Sequence, residues 1–438
     1  MSAKAGASNA RQQRLTSYLD RLAEAAGHAD RAVPLKLYCT GLLLPGERKS
    51  VEPMAARLAP DNVRRMHQSL HHVVADAPWS DETLLGCTRD YALAEMTKSV
   101  PVVAWIVDDT GLPKKGTHSV GVARQYCGQT GKQDNCQVAV SLSVATWNAS
   151  LPIAYRLYLP EAWTNDAERR QQAGIPPQVL FETKLEIALG QIRRALADRV
   201  PQGTVLGDPA YGNDTGFRQS VAGLQLSYVL GVQSTTTVWP PGIEPLSAPK
   251  YSGRGRPASR LRRDPGHAPV SAKQLALNLP AKAWKTVTWR EGSRHPLRSR
   301  FAAVRIRAAH RDHKLHQPRE LEWLLIEWPR GEDEPTKYWM SNLAENSKLR
   351  ALVALGKQRW IIERDYQELK QELGLGHFEG RGWRGFHHHA TLSIAAYGFL
   401  VAERCRFSPS ARSEHLGLSA PQLPPGFLPR GSHPSGKT

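Results

Sequence analysis

The stretch SVPVVAWIVDD, residues 99–109, constrains the fold more than any other part of the chain. Its apolar residues follow one another with little alternation, which is typical of a strand buried on both faces. A strand of this kind belongs to a sheet that is covered by other elements on both sides. The stretch ends in two aspartates, Asp108 and Asp109, and we expect them to end the first strand.

The segments that follow predict further strands and helices. CQVAVSLSVA (136–145) and LPIAYRLYLP (151–160) alternate, and the polar turn TWNAS separates them, so with the first stretch they predict a meander. A long amphipathic helix is predicted over 178–200, then the strand TVLGD, a helix over GFRQSVAGL and a strand over 227–232. The order β-β-β-α-β-α-β is that of an RNase H-like fold, so the expected fold class is α/β.

Composition changes along the chain predict five segments. The expected segments are a helical DNA-binding region (1–95), the first part of an RNase H-like core (96–233), a β-rich basic insertion (234–336), the C-terminal helices of the core (337–406) and a disordered Pro/Ser/Gly-rich tail (407–438). Within the first segment, Ser50 and Asp61 are expected to cap two short helices. The two helices fit a helix-turn-helix or an ordinary helical hairpin equally well.

The charge of the chain points to its partner. There are 58 Lys and Arg residues against 40 Asp and Glu residues, a net charge of +18, which favours nucleic acid over an anionic membrane surface. The apolar run 390–402 is too short to span a bilayer, and the N-terminus lacks the apolar region of a secretory signal. We therefore expect a cytoplasmic protein with no membrane partner.

Cysteine and histidine do not predict a zinc site. The five cysteines are widely spaced and include no Cys-x-x-Cys pair, which argues against zinc and against a disulfide framework. The histidines of FHHH (386–389) open an apolar helical run, and consecutive residues point in different directions on a helix. A metal-binding role for them is therefore disfavoured.

Three acidic positions are expected to meet. Asp108 lies at the predicted end of the first strand, Asp208 in VLGDPAYG ends the fourth, and Glu363 lies on a helix after the insertion. In an RNase H-like sheet those strand ends are neighbours and the late helix packs beside them. Carboxylates this close repel one another unless a cation offsets their charge, and oxygen ligands suit Mg²⁺ or Mn²⁺. Two such ions would support cleavage and joining of phosphodiesters.

Three long motifs carry a resemblance to a known family. WIVDDTGLPKKGTHSVGVARQYCGQTGKQDNCQVAVSL, VLGDPAYG and QRWIIERDYQELKQELGLGHFEGRGWRGFHHH resemble the DDE transposases of bacterial insertion sequences, more narrowly the IS four-like clan in its IS seven-hundred-one group. The likeness runs over most of residues 35–400. It implies an RNase H-like catalytic core with a β-rich insertion between the second Asp and the Glu.

The resemblance also assigns roles to residues. The clan's Tyr-x₂-Arg-x₃-Glu-x₆-Lys pattern matches Arg359, Glu363 and Lys370, whereas Gly356 stands in the Tyr position. It implies that Glu363 is a metal ligand and that Arg359 and Lys370 hold DNA phosphates. The clan's Asp-x-Thr pattern matches Asp108, and strand alternation directs the following aspartate to the opposite face. The expected catalytic and metal-binding set is therefore Asp108, Asp208 and Glu363.

The basic insertion contains RGRP, residues 254–257. This sequence matches the core of an AT-hook, in which Arg254 and Arg256 would lie in a narrow A·T minor groove. A mobile basic loop explains the same residues equally well. If the first interpretation holds, both arginines contact DNA.

These observations lead to one expected function. The chain is expected to be a DNA transposase that binds terminal inverted repeats, cuts the strand ends and joins them to target DNA. Its expected partners are the double-stranded DNA of the transposon ends and target, and a second copy in the DNA complex. A bacterial, nucleoid-associated location follows. The alternatives are a structure-specific nuclease of the same fold and a catalytically idle DNA-binding derivative.

Overall fold

The computed structural model describes residues 2–249, 251, 253, 258–290 and 295–407, with side chains from residue 9 onward. Within these ranges the chain is a mixed α/β structure in which helices pack on a twelve-stranded mixed sheet. No helix in the described part combines the length and apolar character that crossing a membrane requires.

Twelve strands form the sheet in the described residues. The first six are β1 (Ala104–Pro113), β2 (Ala123–Cys127), β3 (Lys132–Ala145), β4 (Ser150–Leu157), β5 (Thr204–Gly207) and β6 (Tyr228–Val232). The remaining six are β7 (Thr237–Trp239), β8 (Val270–Ser271), β9 (Lys285–Arg290), β10 (Leu297–Ala308), β11 (Glu322–Trp328) and β12 (Lys337–Ser341). The main path runs β2-β3-β1-β5-β6-β12-β11-β10-β7-β8, while β4 also pairs with β3 and β9 with β10.

The first half of the sheet has a defined topology. β4, β3 and β1 pair antiparallel in that order, and β5 and β6 continue from β1 in parallel. β12 then pairs antiparallel with β6. Strands β7 to β11, which lie between β6 and β12 in the sequence, therefore extend the same sheet. The parallel strands are covered on both faces, which explains why their sequences are continuous apolar runs.

Two features of the strands differ from the expectation. β1 does not end at Asp109 but continues to Pro113, because its antiparallel pairing with β3 outlasts its parallel pairing with β5, which stops at Ile106. Asp108 and Asp109 therefore lie within β1. β2 was not predicted, since its sequence ARQYC lacks a continuous apolar run.

Fourteen helices occur in the described residues. They are α1 (Ser2–Ala25), α2 (Ala29–Leu43), α3 (Val51–Leu58), α4 (Val63–His71), α5 (Asp81–Met96), α6 (Glu161–Thr164), α7 (Ala167–Gln172), α8 (Lys184–Ala197), α9 (Pro209–Gly212), α10 (Thr215–Gly223), α11 (Ala272–Leu277), α12 (Leu349–Gln358), α13 (Trp360–Gln371) and α14 (Trp383–Phe407).

The N-terminal helices pack on α14, and their apolar residues join the same core as β1 and β5. The predicted caps are not formed. Ser50 precedes α3 but its side chain does not cap the helix, and instead accepts a hydrogen bond from Arg48. Asp61 lies inside a 3₁₀ turn, Pro60–Asn62, so Asn62 rather than Asp61 precedes α4.

The helical segment that carries Glu363 is divided in the structure. Arg359 is the single residue between α12 and α13, and its carbonyl oxygen accepts a hydrogen bond from the N–H of Ile362, a tighter turn than in an α-helix. α13 then ends at Gln371, and Gly374 adopts a positive φ of 67° in the turn that follows. Glu363 and Lys370 share α13, whereas Arg359 stands at its start.

Candidate functional site

The site is built around Asp108 on β1. Its side chain is only 16% exposed, and the Nη1 atom of Arg359 donates to its Oδ2 atom at 3.0 Å. The Nη2 atom of the same guanidinium lies 3.3 Å from Oε1 of Glu363, in the first turn of α13. Arg359 therefore joins two of the three predicted carboxylates, one on the sheet and one on the helix that packs beside it.

Asp208 reaches the same place through the register of the sheet. Ala104 lies opposite Thr204 and Ile106 opposite Leu206, so the same register continued by two residues brings Asp208 beside Asp108. The Oδ1 atom of Asp208 accepts a hydrogen bond from the backbone N–H of Ala210 at 2.9 Å, which caps α9. This cap holds the half-buried carboxylate at the end of β5.

The electrostatics of the site follow from burial and crowding. The pKa of Asp108 is raised to about 7, mainly by burial and in smaller part by the carboxylates of Asp208 and Asp109, while the charge of Arg359 opposes this rise. Negative charge at Asp108 is therefore costly unless a cation lies close to it. In this structure Arg359 is the cation that contacts its carboxylate.

Lys370 contacts β1 at Gly111, three residues after Asp108. Its Nζ atom donates to the carbonyl oxygen of Gly111 at 3.0 Å, and burial lowers the pKa of its ammonium group. α13 is thus joined to β1 near both of its ends, through Arg359 at Asp108 and through Lys370 at Gly111. Arg359 and Lys370 thus contact β1 directly, whereas the side chain of Glu363, which contacts Arg359, is 66% exposed.

The neighbouring Asp109 has a different partner. Its Oδ2 atom lies 2.6 Å from Nζ of Lys184, at the start of α8. Adjacent strand residues project to opposite faces, so this ion pair is separated from the side chain of Asp108 by the sheet. Lys184 was not singled out in the sequence, which offers no motif that would connect it to Asp109.

A second contact missed by the sequence lies beneath Asp108. The buried hydroxyls of Ser141 and Tyr366 hydrogen-bond, and Ser141 Oγ lies 3.4 Å from the carbonyl oxygen of Asp108. Tyr366 follows Glu363 by three residues on α13, a spacing that places two side chains on neighbouring parts of one helix face. This spacing was the sequence signal that could have identified Tyr366. It does not indicate that Tyr366 contacts Ser141 on β3.

Arg254 and Arg256 lie outside the described residues. The tail 408–438, most of the segment predicted to be disordered, also lies outside them. The histidines of FHHH are buried within α14. His387, His388 and His389 hydrogen-bond to different parts of the chain, and so act as packing residues in the structure.

The donor chemistry of the site fits a hard divalent cation. Asp108, Asp208 and Glu363 offer only carboxylate oxygens, the ligands that suit Mg²⁺ and Mn²⁺. In the described residues, however, no three His, Cys, Asp or Glu side chains are close enough together to form a metal site. Arg359 lies between two of the three carboxylates, so the positively charged group that joins them here comes from the chain itself.

Comparisons with known proteins bear on the family of the chain. Residues 21–296 match the family described as "DDE superfamily endonuclease", a segment that contains Asp108 and Asp208 and ends before Glu363. The chain is also 31% identical over 189 residues to the "Probable transposase for insertion sequence element IS701" of Microchaete diplosiphon. That alignment covers 43% of this chain and 45% of the relative, so less than half of either sequence is compared.

Proposed function

The chain belongs to the DDE superfamily of endonucleases, since the family match covers more than half of its length, and from this we propose that it is a DNA transposase of an insertion sequence. Its substrate would be double-stranded DNA at the element's terminal inverted repeats, and its products would be cut ends joined to target DNA. The likeness to an IS701 transposase supports this reading and a place in the same group.

The observation that carries the proposal is the contact of Arg359 with both Asp108 and Glu363. It brings together two carboxylates that are far apart in sequence, and the β1–β5 register adds Asp208. The strand order β4-β3-β1-β5-β6, with its antiparallel and parallel halves, supports an RNase H-like core.

We assign the following roles to these residues. Asp108, Asp208 and Glu363 would hold two Mg²⁺ or Mn²⁺ ions. When bound, such ions activate the attacking oxygen and stabilise the leaving oxygen of a phosphodiester. Arg359 would bind a phosphate of the cut strand through its planar fork, and Lys370 would add a second positive charge. Arg254 and Arg256 would contact DNA outside this centre, and a second copy of the chain would hold the other transposon end.

The test uses the DNA that flanks the coding region. A labelled duplex carrying the inverted repeats found there is incubated with the protein and Mg²⁺, and nicked and strand-transfer products are separated on a denaturing gel. We expect both products from the wild type, and neither from Asp108→Asn, Asp208→Asn or Glu363→Gln, while all three variants still bind the duplex.

The outcomes distinguish the alternatives. Nicking without joining would identify a structure-specific nuclease, and binding without nicking would identify an idle DNA-binding derivative. Substantial cleavage by one of the three variants would remove that residue from the site. Absence of binding by the wild type would contradict the proposal as a whole.

A further inference from the structure

The three carboxylates of the site belong to two separate parts of the fold. Asp108 lies on β1 and Asp208 directly follows β5, so the pairing of these two strands fixes the two aspartates relative to each other. Glu363 lies on α13, and its side chain is 66% exposed and contacts Arg359. The position of the Glu363 carboxylate therefore depends on how α13 is held against the sheet.

Tyr366 connects α13 to the backbone of Asp108. Its hydroxyl hydrogen-bonds with Ser141 Oγ, which donates to the carbonyl oxygen of Asp108 at 3.4 Å. Ser141 on β3 is the residue directly opposite Asp108 on β1. Because the single hydroxyl proton of Ser141 is donated to Asp108, Tyr366 must be the donor to Ser141. Burial raises the pKa of Tyr366 well above its ordinary value, so its hydroxyl keeps the proton that this chain of hydrogen bonds requires.

This connection differs from the two charged contacts between α13 and β1. Arg359 and Lys370 each join the helix to the strand, but both are proposed to bind DNA phosphates. A side chain that turns toward a phosphate weakens its contact with the strand. Tyr366 is uncharged and only 7% exposed, and Ser141 is fully buried. The hydrogen bond between them is closed to DNA, so it can hold α13 beside Asp108 while DNA is bound.

The residue before Tyr366 is anchored to other elements. Asp365 is 3% exposed, and its Oδ1 atom accepts a hydrogen bond from the hydroxyl of Tyr397 on α14 at 2.7 Å. Its Oδ2 atom accepts from the hydroxyl of Ser150 on β4. The turn of α13 that follows Glu363 is thus held at two adjacent residues by buried hydroxyl groups. The anchor at Tyr366 is the one that leads to β1.

We propose that Tyr366, acting through Ser141, is a positioning residue for the cleavage reaction, because it holds Glu363 at the distance from Asp108 that lets both carboxylates bind a divalent cation. The inference rests on the proposed function, and it adds a residue that contacts neither DNA nor the cation. Mg²⁺ requires near-ideal octahedral geometry, so a small displacement of one carboxylate weakens its binding. Removing a hydrogen-bond partner behind the ligands of a metal typically lowers affinity by about 10- to 100-fold.

The experiment compares stability with cation binding. Tyr366→Phe and Ser141→Ala each remove one hydroxyl, and the double variant removes both. Thermal melting without divalent ions measures stability, and calorimetric titration with Mn²⁺ measures cation affinity. Nicking of the inverted-repeat duplex in Mg²⁺ is measured in parallel. The matched control is Tyr18→Phe, because Tyr18 is also buried and its hydroxyl donates to the carbonyl oxygen of Ala395, which joins α1 to α14.

Stability and cation affinity should follow different orders. Ser141→Ala should melt at the lowest temperature, since it leaves the buried hydroxyl of Tyr366 without a partner. The double variant leaves no such hydroxyl and should melt close to the wild type. Tyr366→Phe, Ser141→Ala and the double variant should nevertheless each bind Mn²⁺ about tenfold more weakly than the wild type, and nick more slowly in Mg²⁺. Tyr18→Phe should lose stability and keep its Mn²⁺ affinity.

Two results would overturn the inference and leave the transposase proposal standing. One is a double variant that regains the Mn²⁺ affinity of the wild type together with its stability, since the hydrogen bond would then be purely structural. The other is a Tyr366→Phe variant that binds Mn²⁺ and nicks DNA as the wild type does. If the wild type itself neither binds Mn²⁺ nor nicks the duplex, both proposals fail.

Discussion

The guanidinium of Arg359 lies 3.0 Å from the carboxylate of Asp108, and this contact joins the start of α13 to the middle of β1. The same guanidinium reaches Glu363 at 3.3 Å, so a single positive charge serves two carboxylates. A divalent cation held by those carboxylates would supply the same compensation. If the proposed cation site is correct, Arg359 and the cation compete for Asp108 and Glu363, and Arg359 then opposes cation binding while it supports the reaction.

The first prediction follows from this competition. Arg359→Gln should bind Mn²⁺ roughly fivefold more tightly than the wild type, since removing a contact of about 1 kcal/mol shifts the equilibrium by that factor. Strand transfer by the same variant should fall by about 10²–10³, because it loses the group that stabilises charge at the phosphate. Calorimetric titration with Mn²⁺ and a strand-transfer assay measure the two effects separately.

Arg350→Gln provides the matched control for Arg359→Gln. Arg350 is an exposed arginine in the first turn of α12, and its side chain has no described partner. Its substitution should leave both Mn²⁺ affinity and strand transfer unchanged. Weaker Mn²⁺ binding by Arg359→Gln than by the wild type would show that Arg359 supports the cation site and does not compete with it.

The second prediction concerns Asp109. Because Asp109 pairs with Lys184 on the face opposite Asp108, Asp109→Asn and Lys184→Met should retain cleavage within about threefold, while each loses up to about 1 kcal/mol of stability with the ion pair. Urea denaturation and the cleavage assay check the two parts. If Asp109→Asn were inactive and Asp108→Asn active, Asp109 and not Asp108 would be the catalytic residue.

The third prediction concerns Lys370. One donor of its ammonium group is used by the carbonyl oxygen of Gly111, and the other two remain for a phosphate. Lys370→Met should therefore lower stability by about 1 kcal/mol, the value of one hydrogen bond, and reduce strand transfer far more than that loss explains. Lys348→Met, at an exposed lysine before α12, is the control. If strand transfer by Lys370→Met fell only as much as the folded fraction of the protein, the role of Lys370 would be purely structural.

The elements that the sequence predicted share a simple physical origin. β1, β5 and β6 are continuous apolar runs because their faces are covered, and α8 has an apolar stripe that packs on β3. Burial of this kind imposes a pattern on the sequence that can be recognised without the structure. Asp208 and Glu363 were predicted as site residues from motifs. The β1–β5 register explains why Asp208 lies beside Asp108.

The elements that the sequence did not predict depend on partners far away in the chain. β2 is a short edge strand whose pairing with β3 is not imposed by apolar burial. The break at Arg359 places a guanidinium against Asp108, more than two hundred residues earlier, and no local propensity encodes that contact. The ion pair of Asp109 with Lys184 is likewise a tertiary contact between β1 and α8.

The last prediction concerns His389, which joins α14 to α2 and to the turn after α13. Its Nε2 atom lies 2.9 Å from the carbonyl oxygen of Gly374, and its Nδ1 atom lies 2.8 Å from the hydroxyl of Tyr38. A neutral imidazole satisfies both contacts, with Nε2 as donor and Nδ1 as acceptor from Tyr38. Burial lowers the pKa of His389 to about 4, whereas an unfolded histidine titrates near 6.5.

The sign of the pH effect follows from this difference. Between pH 6.5 and 4 the unfolded chain binds a proton that folded His389 does not, so its contribution to stability is complete above pH 6.5 and is lost as the pH falls toward 4. Lowering the pH from 7.5 to 5.5 should cost about 1.4 kcal/mol through this residue. Urea denaturation at the two pH values should show a smaller loss for His389→Gln than for the wild type, and an unaltered loss for His313→Gln, an exposed control. Equal pH dependence in the wild type and His389→Gln would mean that His389 binds a proton equally well in the folded and unfolded chain.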